Sequence, residues 1–170
     1  NDLVPSINPL ATEVIGDQID QNCDTDELCY VDSDNDGART TATVLSADTD
    51  CTDPGEEVAT APIDCADTDS DRFPGNPEIV GDGKDQDCNN QEICYVDVDN
   101  DNSPINTTVV STDQDCLDSG EGTAAELAAA GAIDCNDLVP SINPLATEVI
   151  GDEVDQNCDT DELCYVDSDN

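Results

Sequence analysis

Apolar positions along the 170-residue chain fall in short bursts, never in a sustained stripe of helical period. Segments 41–46 (TATVLS) and 106–111 (NTTVVS) are β-branched and alternating, which predicts two short strands, with CYVD at 29–32 as a partner strand. Short helices are expected to start at Pro9 and Pro74, run through Glu13-Val14-Ile15 or Glu78-Ile79-Val80, and stop near Gly16 or Gly81. The Ala-rich stretch 122–131 (GTAAELAAAG) predicts one or two helical turns that act as a spacer. Loops of Asp, Asn and Gly fill the rest.

These bursts recur, and the recurrence predicts the architecture. Residues 136–170 repeat residues 1–35 at an offset of 135, differing only at Gln18/Glu153 and Ile19/Val154. Inside that period lies a shorter one of 65. Residues 1–55 and 66–120 align without gaps and share 24 of 55 positions. Eleven of the shared positions are acidic: Asp2, Glu13, Asp17, Asp20, Glu27, Asp32, Asp34, Asp36, Asp48, Asp50 and Asp53. Solvating charge has no reason to keep register between copies, whereas ligands do. The expected modules are A (1–65), B (66–135, lengthened by the Ala-rich insertion) and the start of a further A (136–170).

Composition changes the picture of what holds such modules together. There are 43 acidic side chains against three basic ones, Arg39, Arg72 and Lys84, for a net charge of −40. The aromatic residues are Tyr30, Tyr95, Tyr165 and Phe73. No large apolar core can form, and disulfides and metals are the expected substitutes. Ten regularly spaced cysteines predict a disulfide framework in an oxidising compartment, extracellular or at the cell surface. Zinc is disfavoured, because His is absent and no two cysteines are closer than C-x5-C. No apolar run is long enough to span a bilayer, and such acidity argues against nucleic acid and anionic membranes. It favours cations.

The sharpest motif is Asp32-Ser33-Asp34-Asn35-Asp36-Gly37, repeated as Asp97, Asp99 and Asp101 with Asn102 in the glycine position. Alternate oxygen ligands before a sharp turn match the first half of an EF-hand calcium loop. Calcium is large, hard and tolerant of irregular geometry, so Ca²⁺ is the expected cofactor. Thr43 and Thr108 stand where the closing Glu of that loop would be. Asp48 or Asp50, and Asp113 or Asp115 in module B, are candidates to close it. Asp167 and Asp169 begin a third loop, within which the sequence breaks off, so flanking copies are expected. Glu56 and Glu121, outside the triplets, are expected to matter less than Asp34 and Asp99. A second acidic group spans 64–88: Asp64, Asp67 and Asp69 on one limb, then Glu78, Asp82 and Asp85 after a Pro-Gly turn. Its counterparts are Asp17 and Asp20 in module A, and Asp134, Asp137, Asp152 and Asp155 in the last copy.

The segment DCADTDSDRFPGNPEIVGDGKDQDC resembles the MopE-type metal-binding repeat, with its DC-D-x-D, PG-x-x-E and DG-x-D-x-x-C elements. CYVDSDNDG is similar to the calcium loops of thrombospondin type-3 and dockerin modules. Module A departs from the pattern at Leu3, Val4 and Leu10. The resemblance implies secreted or surface proteins that hold metal in acidic loops. Copper is linked to the family's name, yet this chain has no His, Met or Trp to supply imidazole or soft ligands. In that family a Cys usually stands where Ile15 and Val80 sit. Its displacement to the x5 position implies local disulfides: Cys23–Cys29, Cys51–Cys65, Cys88–Cys94, Cys116–Cys135 and Cys158–Cys164. The rival scheme pairs Cys29 with Cys51 and Cys65 with Cys88, and leaves Cys23 and Cys164 needing partners outside the sequence.

Catalysis finds no footing, since His is absent and no Ser or Cys has a basic partner. The sequon at Asn106 permits glycosylation, although Thr in a strand is the ordinary reading. The expected fold is a tandem repeat of mostly irregular, calcium-stabilised loops with short strands and one-to-two-turn helices, disulfide-stapled and extended. The expected role is a structural extracellular fibre, stalk or sheath whose partners are calcium and further copies of itself. The alternative is an adhesin spacer or dockerin-like calcium-dependent binding module.

Overall fold

The computed structural model describes residues 4–168. The chain forms two compact units, residues 1–77 with 86–89 and residues 78–85 with 90–170. The module boundaries at 65/66 and 135/136 fall inside these units, because each acidic loop takes contacts from the segment that opens the next module.

Each unit holds one three-stranded antiparallel sheet. In the first, β1 (Leu28–Asp32) lies between β2 (Thr43–Leu45) and β3 (Gly55–Glu57). In the second, β4 (Ile93–Asp97) lies between β5 (Ile105–Val110) and β6 (Gly120–Gly122). The register repeats as well: Cys29 faces Val44 and Val31 faces Glu56, while Cys94 faces Val109 and Val96 faces Glu121. The β-branched runs became strands as their alternation predicts. β3 and β6 have no such composition. Their first residues are held from outside the ladder, where the Asn35 side-chain oxygen accepts from Gly55 N (2.7 Å) and that of Asn100 from Gly120 N (2.8 Å).

The Ala-rich insertion is α1 (Ala124–Ala130), opened by a Thr123/Glu126 capping box and closed by Gly131 at φ 73°. The helices expected after Pro9 and Pro74 are not formed. Those segments are isolated turns, closed by Ala11 N on Asn8 O (2.8 Å) and Asn76 N on Phe73 O (3.0 Å), and side chains take amides that a helix would need. Leu10 N donates to Asn8 Oδ1 (3.0 Å) and Val14 N to Gln21 Oε1 (2.9 Å).

The interior inverts the usual composition. Leu10 and Leu117 are exposed, whereas Glu27, Asp32, Asp85, Glu92 and Asp97 are buried beside the cysteines, Ala38 and Ala130. Disulfides take the place of an apolar core. They join Cys29–Cys51 and Cys65–Cys88 in the first unit, and Cys94–Cys116 and Cys135–Cys158 in the second. The five local pairs Cys23–Cys29, Cys51–Cys65, Cys88–Cys94, Cys116–Cys135 and Cys158–Cys164 are therefore corrected. Cys29 is fully buried on β1 with its sulfur 3.5 Å from Asp50 O, so it meets Cys51, whereas Cys23 is exposed at φ 63°. Cys23 and Cys164 are free. Their counterparts pair 23 residues upstream (Cys88, Cys158) and 22 downstream (Cys29, Cys94), positions that here lie outside the sequence.

Gly16 and Gly81 tie the motif segment to its sheet. Gly16 N donates to Leu28 O (2.7 Å) and Gly16 O accepts from Ala59 N (2.9 Å); Gly81 does the same with Ile93 and Ala124. Both have positive φ, and a Cβ at either would lie within 2.6 Å of a backbone nitrogen. Only glycine fits.

Candidate metal centre

The loop after β1 winds around its own carboxylates. Asp32, 3% exposed, accepts from Asn35 N (2.7 Å) and Gly37 N (3.1 Å), and Asp36 Oδ1 accepts from Ala38 N (2.8 Å). Asn35 and Gly37 take the left-handed backbone that this winding needs, at φ 63° and 87°. One carboxylate oxygen from each of Asp32, Asp34 and Asp36 lies within 4.8 Å of the others.

The loop is completed from the next module. Asp67 accepts from both Ser33 N and Ser33 Oγ at 2.7 Å, which fixes the 64–67 limb against the loop. Asp64 spends Oδ1 on Ala66 N (2.8 Å). Its Oδ2, Asp36 Oδ2 and both oxygens of Asp34 are buried and accept no hydrogen bond. Burial, then the charges of Asp64 and Asp32, push the Asp34 carboxyl above its usual range, and the nearby amides of Asp36 and Asp69 offset part of the shift. Asp36 is also raised, by burial first and then by the charges of Asp34, Asp64 and Asp32, against the Ala38 amide.

The second unit repeats the arrangement. Asp97 accepts from Asp101 N (3.3 Å) and Asn102 N (3.0 Å), Asp101 from Ser103 N (2.9 Å), and Asn102 takes φ 67° where the first loop has glycine. Asp137 accepts from Val98 N (2.8 Å), as Asp67 does from Ser33. The buried oxygens without a partner are both of Asp99, Asp101 Oδ2 and Asp134 Oδ2. Burial raises Asp97, Asp99 and Asp134, and for Asp99 the charges of Asp101, Asp134, Asp97 and Asp137 follow.

Such a shell is incomplete as it stands. Two like charges 4 Å apart repel by about 4 kcal/mol at an effective dielectric of about 20, and each loop gathers at least four. A buried carboxylate oxygen without a donor carries its desolvation cost as well. A cation answers both. Every donor is a hard oxygen, and the sulfurs beside Asp64 and Asp134 are consumed in the Cys65–Cys88 and Cys135–Cys158 disulfides. The shell therefore fits a hard divalent ion, and offers nothing that copper or zinc would prefer.

The other expected ligands divide into groups. Asp20 accepts from Asp24 N and Thr25 N, Asp155 from Asp159 N and Thr160 N, and Asp85 from Asn90 N, so these three cap the tight turn that follows. Asp48 accepts from Ser46 Oγ and Asp50 N, and Asp50 from Thr52, while Asp64 is the acid outside the loop whose charge bears on Asp34. Asp69 approaches Asp34 through its amide. Asp167 is exposed, and Asp169 lies outside the described residues. Glu56 and Glu121, outside the triplets, each bury an Oε2 that has no hydrogen-bond partner. Asn106 is exposed on β5.

Glu78 lies with Asp85 and Asp87, one oxygen of each within 4.8 Å of the others. Asp17, Glu78 and Asp82 also neighbour buried glutamates that the motif reading missed, and Asp152 is the counterpart of Asp17. Glu13 and Asp17 press on the buried Glu27, and Glu78 and Asp82 on the buried Glu92. Glu13 and Glu27 were visible as acidic positions kept between copies, but they belong to no DxD pattern.

A family model described as "Putative metal-binding motif", of the copper-binding MopE type, matches residues 1–27, 64–92 and 134–162, together half of the chain. Two of the matched stretches open on Asp64 and Asp134, each a carboxylate with a buried, unpartnered oxygen near the preceding loop. All three end on the Glu27, Glu92 and Glu162 positions. No curated protein and no solved structure matches the chain at the stringency applied.

Proposed function

The chain belongs to the MopE-type metal-binding family, and from that premise we propose that it is a calcium-stabilised structural repeat protein of the extracellular space, without catalytic activity. The observation that carries this reading is the set of buried, unpartnered oxygens on Asp34, Asp36 and Asp64, recurring in register on Asp99, Asp101 and Asp134. Calcium accepts six to eight oxygens in irregular geometry, and loops of this kind in extracellular modules bind it at about 10⁻⁴–10⁻³ M. Four disulfides suit the oxidising, calcium-rich exterior.

A fibre follows from how the shell is shared. Each loop is closed by the first limb of the next module, so every added copy completes the site of the one before. Identical copies joined in one fixed way advance by a constant rotation and rise. The stretches 8–21 and 143–156 keep the same local bonds, whereas 163–167, the counterpart of β1, forms no strand. Asn8 N donates to Gln21 O and Asn143 N to Gln156 O, both at 2.8 Å. Arrays of one, two and three 135-residue periods, followed by small-angle scattering in calcium, test the proposal. Maximum dimension should grow by an equal step per period and fall out of step in chelator. A compact particle of any length, or shapes indifferent to chelator, would overturn it.

A further inference from the structure

We propose that Glu13, Asp17 and Glu27, with their counterparts Glu78, Asp82 and Glu92, form a second hard-cation site in each repeat, separate from the aspartate loop. It rests on the metal-binding reading above but uses none of the loop's ligands.

Glu27 and Glu92 are 0% exposed. Neither oxygen of Glu27 accepts a hydrogen bond of good geometry. Glu92 spends Oε1 on Gly81 N (3.2 Å) and leaves Oε2 without a partner. Each neighbouring acid is aimed by its own bonds. Glu13 Oε1 takes Asn22 N (2.8 Å) and leaves a buried Oε2 unpartnered, while Asp17 is held at 2.9 Å by the Gln21 side-chain amide. The third copy preserves the plan: Glu148 takes Asn157 N (3.0 Å), Asp152 takes Gln156 Nε2 (2.8 Å), Glu162 takes Gly151 N (2.9 Å), and Glu148 and Glu162 each leave Oε2 unpartnered.

Arg39 does not account for this arrangement in module A. Arg39 is engaged over Tyr30 and on the carbonyls of Thr40 and Ala59, and the position of Lys84 is Ile19. Burial first, then the two acidic neighbours, raise Glu27 and Glu92 alike to about 7. A proton on Glu27 would neutralise one group and leave the other acceptors bare, and Gln would serve as well at no electrostatic cost. An oxygen-only shell of Glu, Asp and Glu suits an ion of the calcium class. It would also have a structural task, since it sits where the Gly16 and Gly81 turns meet the first residues of β1 and β4.

Calcium binding to the 170-residue chain, counted by equilibrium dialysis, tests the assignment. The Glu27→Gln/Glu92→Gln variant should bind about two fewer ions than the native chain, as should Asp34→Asn/Asp99→Asn, with the two losses adding when combined. Gln is isosteric and uncharged, so the first variant should keep its fold, checked by its melting in calcium. Glu13→Gln/Glu78→Gln should lose the same ions should Gln at 27 and 92 prove disruptive. An unchanged ion count in both Glu variants overturns the second site. An unchanged count in the Asp variant alone overturns the loop reading and leaves this one standing.

Discussion

The two units build one ligand plan on different backbones. In the first, Arg39 is a clamp. Its amide donates to Pro62 O and its carbonyl accepts from Asp64 N, both at 2.9 Å, which lays 62–64 beside the loop exit. Its guanidinium sits 3.8 Å from the centre of the Tyr30 ring and bonds Ala59 O. In the second unit the same position is Pro104, which has no amide to donate. Pro104 is buried against Gly122, where a Cβ would lie 2.7 Å from the proline ring, and α1 then carries the chain towards Asp134. Arg39 with Glu57 has become Pro104 with Gly122, yet the same unpartnered oxygens face one another. What has been kept is the carboxylate constellation, and the scaffold that delivers it has been free to change.

Removing the metal should produce the largest effect and treat the units alike. At millimolar calcium each site contributes about 1–2 kcal/mol by mass action, so four sites approach the whole stability of a small domain. Thermal melts in excess EDTA should drop accordingly, and an unchanged melt would show that the shells are empty in solution. The metal-free chain should also carry a pH signature. Glu27 and Glu92 titrate near 7 when folded against an ordinary 4.5, so the folded state favours their protonated form. Their contribution is complete below about 4.5 and is lost as pH rises through 7. Asp34, Asp99 and Asp134 act in the same direction. Melts in EDTA should therefore be higher at pH 5 than at pH 8, with the slope flattened in Glu27→Gln/Glu92→Gln. A slope unaffected by that substitution would assign it to general repulsion.

Disulfide removal comes next and should again be even-handed. Cys29–Cys51 and Cys94–Cys116 each close a 22-residue separation and have equal Cα–Cα distances of 5.5 Å. Replacing either pair with Ser should cost about 3 kcal/mol in the chain-entropy model. A loss confined to one unit would mean that the sheets differ in stability more than their register suggests. Gly16→Ala and Gly81→Ala should follow, at about 2–3 kcal/mol each, since the added Cβ meets the Ala59 or Ala124 nitrogen and the backbone is left-handed at both.

Legibility in the sequence followed the range of the interactions. β1, β2, β4 and β5 were readable from alternation, and the aspartate loop from its spacing, because both depend on near neighbours. The family resemblance was readable for the same reason and stands. β3 and β6 were not, because GEE and GEG become strands only when Asn35 and Asn100 hold their ends. Asp64 and Asp134 lie about thirty residues beyond their loops, on limbs held there by Asp67 and Asp137, and Asp137 itself groups with Asp97 and Asp99. The local disulfide scheme rested on the displaced family cysteine, but strand β1 turns Cys29 inward towards Cys51. Glu27 and Glu92 carried a signal in their shared register, and lacked only a pattern that would mark them as ligands.

The smallest expected effects separate the two scaffolds. Thr123 caps α1 from both directions, its Oγ1 accepting from Glu126 N (3.1 Å) while Glu126 reaches back to Thr123 N (2.7 Å). Thr123→Ala should cost about 1 kcal/mol, all of it in the second unit. Because α1 leads to Asp134, the cost should also appear as weaker calcium binding at Asp99 and Asp101, with the Asp34 site unchanged. Arg39→Ala should do the converse through the lost guanidinium bond and the contact over Tyr30, each worth about 1 kcal/mol or less. Its backbone bridge to Pro62 and Asp64 survives the substitution, so the ligand constellation should persist with modestly lower affinity. Site-resolved calcium titration of both variants, with the opposite loop silenced by Asp34→Asn or Asp99→Asn, reads the difference. Should Thr123→Ala weaken both loops equally, the two units would be one cooperative body, and the separate scaffolds would share a single stability.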